Sequence, residues 1–260
     1  MILDKKIILF LFIFLSFGCA TEYNIATQRE EMYFYSTDKE VRLGEALSKE
    51  VSSRFKLVED PLIQERVKSI GEKVASVCDR KEIKYHFFVL DEKEVNAFAL
   101  PGGFIYVNKG LVEKADDDEL ANVLGHEIGH TVCRHSIKKL QAGWGYSLLM
   151  VLFSQTAKDV DIVKAFDYVL NEIFLGYSRQ DEFMADKLGT RYAKLAGFNP
   201  KGMVSFLEKL QKIYHNKEPQ PLSYARTHPY IPDRIRVVKQ EMGQPIEFKD
   251  YINIEEKARP

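Results

Sequence analysis

ELANVLGHEIGH, residues 119–130, carries two histidines four apart with a glutamate directly after the first. On an α-helix, positions i and i+4 share a face one turn apart, so His126 and His130 can present two imidazole nitrogens to a single tetrahedral metal ion. Glu127 then stands where its carboxylate can reach a water at that metal without binding it. This is the placement of a general base for metal-assisted amide hydrolysis. Two surface histidines and a salt-bridging glutamate would share the spacing, so the surrounding residues decide between the readings.

The surroundings predict a helix. DDDELANVLGHEIGHTVCRHSIKKLQ, residues 116–141, opens with acidic residues, and Asp116 and Glu119 have capping-box spacing. Leu120, Val123, Leu124, Ile128 and Val132 form its buried stripe, and Lys138 and Lys139 suit its C-terminal end. On one continuous helix His135 lies about 180° around from His126, which makes it a solvent or packing residue.

A zinc site of this kind needs a third protein ligand. A metzincin-like continuation requires glycine at 133 and histidine at 136, but the chain has Cys133 and Ser136, so that subclass is excluded. SRQDEFMADKLGTRYAKLAG, residues 178–197, reads as a helix ended by glycine, with Glu182 and Asp186 at i and i+4. Glu182 is the candidate ligand, and Asp186 the carboxylate that would orient a ligand histidine. A solvated acidic face that includes Asp181 fits the same residues, and Glu172 is a rival ligand followed by Gly176.

Outside these helices, Val41, Leu43, Leu47, Val51 and Phe55 follow a helical period, and Pro61 opens a second helix, PLIQERVKSIGEKVASVC. KYHFFVLD, NAFAL and FIYVNKGL read as strands, with Pro101, Gly102 and Gly103 as the turn before the last. YSLLMVLF, residues 146–153, reads as core or a surface-facing hairpin, because Lys158, Asp159 and Asp161 interrupt it before a membrane span is complete. KGMVSFLEKLQKIY gives another helix, and a proline-punctuated loop leads to a last short one. The fold class is α+β, mostly helical, with a small β-sheet packed beside the helix of His126 and His130.

The chain has 260 residues, 45% hydrophobic and 29% charged, which suits one globular domain. Its 37 basic and 38 acidic residues nearly cancel, and no basic run suggests a nucleic-acid partner. MILDKK and the apolar IILFLFIFLSF read as a signal peptide over 1–18, because the run is too short to span a bilayer. Cys19 follows a small residue, as in the lipobox of bacterial lipoproteins, and is the expected lipidation site; an ordinary cleaved signal with an incidental cysteine is the alternative. Residues 19–36 are expected to be a tether and 37–260 the domain. The expected location is the periplasm, with acylated Cys19 holding the chain to the outer membrane. Cys78 and Cys133 are either a disulfide or two buried thiols.

HEIGH followed by SRQDEFMAD resembles the HExxH and ExxxD pair of the HtpX-like and CAAX-prenyl-protease-like zinc metallopeptidases, family forty-eight, which are gluzincins. NAFALPGGFIYVNKGL and RTHPYIPDRI resemble that family's flanking segments, and the likeness, greatest for its BepA-like and LoiP-like periplasmic members, covers residues 38–240. It implies a gluzincin fold with one Zn2+ per chain, held by His126, His130 and Glu182. Glu127 matches the base and Asp186 the second carboxylate. The resemblance also makes NAFAL an edge strand that can add a substrate peptide through main-chain hydrogen bonds, with Asn96, Ala97 and Phe98 as substrate-binding candidates. His228 matches a histidine that can take the open zinc position in BepA-like members; oxyanion helper and ordinary loop histidine are the alternatives. Arg234 either stabilises an oxyanion or ties a carboxylate. Membrane-spanning helices of HtpX-like members and the helical-repeat domain of BepA-like ones are not matched, so substrates and partners do not carry over.

Together these features point to a metalloendopeptidase acting on unfolded or misassembled envelope polypeptides. A chaperone or assembly factor with a latent zinc site is the alternative, and a structural lipoprotein with a vestigial site is a third.

Overall fold

Ser36 and Asp60 start the first two helices of the computed structural model, which describes residues 20–24, 28–33, 36–142, 159–214 and 223–246. The signal segment 1–18, Cys19 and the apolar stretch 146–153 lie outside the described residues. Helix α1 spans Thr37–Arg54 with its first turn capped by Ser36. Helix α2 spans Pro61–Ala75; the Asp60 carboxylate accepts from the Leu62 amide, and proline sits at the first position, where its missing N–H costs no hydrogen bond.

The leader contributes a hairpin in which β1, Ala20–Asn24, pairs antiparallel with β2, Arg29–Tyr33. Part of the segment expected to be a tether is therefore fastened to the domain. Lys138 Nζ donates to Glu31 at 2.8 Å, and the Arg134 guanidinium lies 4.4 Å from the centre of the Tyr33 ring. Burial works against the charge of Glu31, but the bonds from Lys138 and Tyr33 prevail and hold its carboxyl below the ordinary range.

A second sheet holds β3, His86–Leu90; β4, Ala97–Leu100; and β5, Phe104–Asn108, in the order β3-β5-β4, with β3 parallel and β4 antiparallel to β5. Gly102 and Gly103, at φ 74° and 93°, supply the positive-φ residues in the turn between β4 and β5. Both faces of this sheet are covered. Ala97, Ala99, Ile105 and Val107 join a core with Val67 and Val74 of α2 and with Leu120 and Leu124. Phe98, Leu100, Phe104 and Tyr106 join another with Leu43, Leu47 and Val51 of α1. Each of the larger aliphatic or aromatic side chains so buried stabilises the fold by about 1.5–3 kcal/mol. The sheet is thus a wall between two cores, and β4 is its edge toward the site.

After the short helix α3, Lys109–Val112, comes α4, Asp117–Val132, with the expected capping box: the Glu119 amide donates to Asp116 Oδ1 at 2.8 Å, and the Asp116 amide to Glu119 Oε2 at 3.1 Å. The expectation of one helix through Gln141 is corrected. Arg134 takes a left-handed φ of 53°, α4 ends, and α5, His135–Ala142, starts in a new direction. The break is held by tertiary contacts of Arg134, whose Nε lies 2.8 Å from the buried Glu40 carboxylate and whose Nη2 donates to Thr37 Oγ1 at 2.7 Å.

The remaining elements among the described residues are helices: α6, Asp159–Phe174; α7, Arg179–Leu195; α8, Gly202–Tyr214; α9, Tyr224–Thr227; and α10, Ile231–Glu241. Cys78 and Cys133 are both free and buried, so no bridge joins them. Among the described residues no helix is long and apolar enough to cross a membrane.

Candidate metal centre

Helices α4 and α7 cross at small residues. A Cβ on Gly125 would stand 2.7 Å from the Gly189 carbonyl oxygen, and one on Gly189 would stand 2.5 Å from the His126 nitrogen. Only glycine permits so close an approach. It brings Glu182 and Asp186 of α7 against His126 and His130 of α4, with all four side chains buried.

Four donor groups converge: single ligand atoms of His126, His130, Glu182 and His228 all lie within 4.8 Å of one another. His126 Nε2 is 2.9 Å from His130 Nε2, 3.3 Å from His228 Nδ1 and 3.5 Å from Glu182 Oε2. Glu182 Oε1 is 3.4 Å from His130 Nε2 and 3.1 Å from His228 Nδ1. Ligands about 2.0–2.1 Å from a tetrahedral zinc stand roughly 3.3 Å apart, so this donor set fits zinc. The buried oxygens agree with that fit: both Glu127 oxygens lack a hydrogen-bond partner, and Glu182 Oε2 has none beyond its ion pair with Arg234 Nη1 at 3.2 Å.

The support of His126 is complete. Its Nδ1 lies 2.8 Å from Asp186 Oδ1 and 3.2 Å from Arg234 Nη2; the shorter contact, to an oxygen that only accepts, favours the hydrogen on Nδ1 and leaves the Nε2 lone pair directed at the cluster. Asp186 is held in turn by Arg234, whose Nε and Nη2 donate to its two oxygens at 2.8 Å each. Arg234 also donates from Nη1 to the His228 carbonyl at 3.2 Å and from Nη2 to the Tyr224 hydroxyl at 3.2 Å. Of the two roles open to Arg234, the geometry selects tying a carboxylate.

The protonation preferences suit a metal site. Burial, with Arg234 nearby, pushes His126 down to about 3, so the ring is neutral. Burial alone would raise Glu182 and Asp186, but His228 and Arg234 for the first, and Arg234 and His126 for the second, hold both carboxyls below the ordinary range. Glu127 is the exception. Burial raises its pKa despite His228 and His130 nearby, which makes it the carboxylate readiest to take up a proton.

His228 ends α9 and bridges the cluster. Its Nδ1 faces Glu182 Oε1, while its Nε2 lies 3.3 Å from the Ala97 carbonyl oxygen of β4 and 3.4 Å from Glu127 Oε1. Burial disfavours its charge, but Glu182 and Glu127 outweigh that and raise its pKa.

The substrate-binding candidates separate. Ala97 reaches the site through its carbonyl. Phe98 points to the other core, stacking on Tyr106 and meeting Phe174 edge-on. Asn96 is buried, and its Oδ1 accepts from Thr227 Oγ1 at 3.0 Å and from the Ala97 amide at 2.9 Å, which ties the edge strand to the His228 segment. The rival ligand Glu172 is not among the converging donors.

Two features escaped sequence reasoning. His135 is buried with its Nδ1 2.8 Å from His130 Nδ1, because the left-handed Arg134 turns it back toward the site. Tyr177 stacks on His130 with ring centres 4.1 Å apart, and its hydroxyl is buried without a hydrogen-bond partner among the described residues. The Gly125, Gly129, Ala185 and Gly189 spacing, small residues four apart on two helices, is the one signal that would have foretold the crossing.

Residues 61–242 match the profile of peptidase family M48. The chain is 26% identical over 221 residues to the beta-barrel assembly-enhancing protease of Escherichia coli strain K12, an alignment covering 80% of this chain and 45% of that protein. It is 28% identical over 225 residues to the mitochondrial metalloendopeptidase OMA1 of Schizosaccharomyces pombe, covering 84% of this chain and 66% of the relative. The metalloprotease LoiP of Escherichia coli is 26% identical over 181 residues, covering 68% of this chain and 70% of LoiP. The chain therefore spans less than half the length of the beta-barrel assembly-enhancing proteases it matches.

Proposed function

The chain belongs to peptidase family M48, a family of zinc metallopeptidases, and from that premise we propose that it is an endopeptidase that cleaves extended polypeptide segments in the bacterial cell envelope. The observation that carries this reading is the convergence of the His126, His130 and Glu182 donors beside an orphaned, buried Glu127 carboxylate. His126, His130 and Glu182 would hold one zinc ion, with His228 as a fourth donor in the closed arrangement. The chemistry zinc supplies in such a set is Lewis-acid polarisation of a carbonyl.

The remaining chemistry belongs to the chain. Glu127, whose proton affinity burial raises, takes one proton from the attacking water as the water oxygen adds to the carbonyl carbon. The C–N bond then breaks as Glu127 returns that proton to the departing amine nitrogen. Asp186, pinned by Arg234, keeps the His126 ring fixed throughout. The outer edge of β4 offers main-chain groups to an extended peptide, starting with the Ala97 carbonyl that His228 now occupies.

The envelope assignment is supported by the signal-like 1–18 segment, by Cys19 as an acylation site that would anchor the chain to the outer membrane, and by relatives named for beta-barrel assembly. Unfolded or misassembled envelope proteins are the corresponding substrates, because their extended segments have main-chain groups free to pair along a strand edge. A second reading has its own observation. His126, Glu127, His130, Glu182 and His228 are each no more than 1% exposed, so the site as it stands is closed to substrate. A chaperone or assembly factor with a latent zinc centre would keep it closed.

Zinc content and casein cleavage, measured together on wild type, Glu127→Gln and His228→Ala, separate the readings. One zinc per chain with cleavage that Glu127→Gln abolishes supports the endopeptidase. One zinc without cleavage in wild type or His228→Ala supports the latent centre, and absence of zinc sinks both.

A further inference from the structure

Asp186 orients His126, but His130 turns its back to that carboxylate and meets a second histidine instead. His130 Nδ1 and His135 Nδ1 stand 2.8 Å apart, and one of the two must carry the hydrogen between them. The far side of His135 decides which. His135 Nε2 lies 3.3 Å from Asp181 Oδ1, an oxygen that only accepts, so the single N–H of a neutral His135 belongs on Nε2 and its Nδ1 is an acceptor. His130 then donates from Nδ1, and its Nε2 lone pair points to the cluster with His126, Glu182 and His228. The opposite tautomer would place a hydrogen on His130 Nε2, 2.9 Å from His126 Nε2, and remove it as a ligand.

We propose that His135 and Asp181 are positioning residues for the metal ligand His130: Asp181 fixes the tautomer of His135, and His135 fixes that of His130. This rests on the zinc reading above. The parts are prepared by the fold. The left-handed Arg134 redirects His135 inward, where it is 3% exposed. The capping box of α7 holds Asp181 in place, since Ser178 Oγ donates to Asp181 Oδ2 at 2.7 Å while Oδ1 stays available to His135. Tyr177, stacked on His130 with its ring 5.9 Å from His135, covers the pair.

The test is zinc affinity by competition with a chromophoric chelator, on the full chain, for wild type, His135→Phe, His135→Gln and Asp181→Asn. Glutamine can accept from His130 through its carbonyl and donate to Asp181 through its amide, so it retains the relay while phenylalanine removes it. The expected result is zinc binding weakened about 10- to 100-fold in His135→Phe, largely restored in His135→Gln and intermediate in Asp181→Asn. Wild-type affinity in His135→Phe, or equal losses in the phenylalanine and glutamine variants, overturns the relay and leaves a packing role. Nitrogen-15 NMR of the zinc-loaded wild type reads the relay without any substitution. Hydrogens on His130 Nδ1 and His135 Nε2 support the proposal, and a hydrogen on His135 Nδ1 overturns it. A wild-type chain without zinc affinity fails the metal reading and takes the relay with it, an outcome distinct from selective loss in the variants.

Discussion

The α4 and α7 face of the site and the face formed by residues 223–230 hold their donors by different means. His126, His130 and Glu182 sit on helices of 16 and 17 residues, each opened by a capping box and locked together by backbone contact at Gly125 and Gly189. His228 closes the four-residue helix α9 and is followed by Tyr230 at a left-handed φ of 68°. A tyrosine in that conformation costs about 1–2 kcal/mol. It persists here because the segment is tied down by Arg234 to the His228 carbonyl, by Thr227 to Asn96 and by His228 to Ala97. The contrast teaches that three donors ride on helices locked to each other, while the fourth rides on a short segment held by a few side-chain hydrogen bonds.

The sharpest way to break this comparison is Glu127→Gln. Glutamine keeps the size of the side chain and removes its basicity, so zinc content should be unchanged while kcat for casein falls by about 10²- to 10⁴-fold. Appreciable residual cleavage by a pure sample would move the base elsewhere. Glu182→Ala against His228→Ala compares the two faces directly. Zinc should be lost from the first variant on dialysis and retained by the second, whose cleavage should rise; equal zinc loss would make His228 a permanent ligand.

Arg234→Met tests the brace under the helical face. It leaves the buried Asp186 carboxylate without its cationic partner, with only the neutral His126 ring to bond it, and should destabilise by about 3–5 kcal/mol. A differential scanning calorimeter should read that as a Tm fall of roughly 2–4 °C per kcal/mol. Gly189→Ala is smaller, about 1–3 kcal/mol for forcing a methyl against the His126 backbone. It should weaken zinc binding as well as lower Tm, because the helices that carry the ligands must part. A Tm change alone would show that the crossing supports the fold and not the site.

The last effect concerns acid. Glu31, whose folded pKa lies below its ordinary value near 4.5, contributes stability present above that value and lost as pH falls through the lower folded pKa. Lys138→Met removes one of its two leading supports, so the variant should lose less stability than wild type as pH falls from 5 to 3, measured by urea midpoints. Parallel midpoints would show that the hairpin contributes nothing to acid sensitivity.

Much of this was legible in the residues. The histidine pair, the capping box at Asp116 and Glu119, the proline start at Pro61 and the Glu182 and Asp186 spacing all express the geometry of single helices, which the backbone fixes locally. The strand alternation that buries both faces of β4 and β5 was legible as strands, but which core each side chain joins was not. His135 was misread because the 100° per residue argument assumes a continuous helix, and arginine carries no signal for a left-handed break.

What the sequence by itself determined is therefore the set of helices and the ligand types that ride on them, since a four-residue spacing and a cap depend on neighbours in the chain. Only the tertiary structure decided that Arg134 would bend back on Glu40, that Arg234 would brace Asp186 across 48 residues, and that His228 would lie across the cluster. Those contacts join segments remote in the chain, and they exist because buried charges and imidazoles must find partners wherever packing brings one within reach.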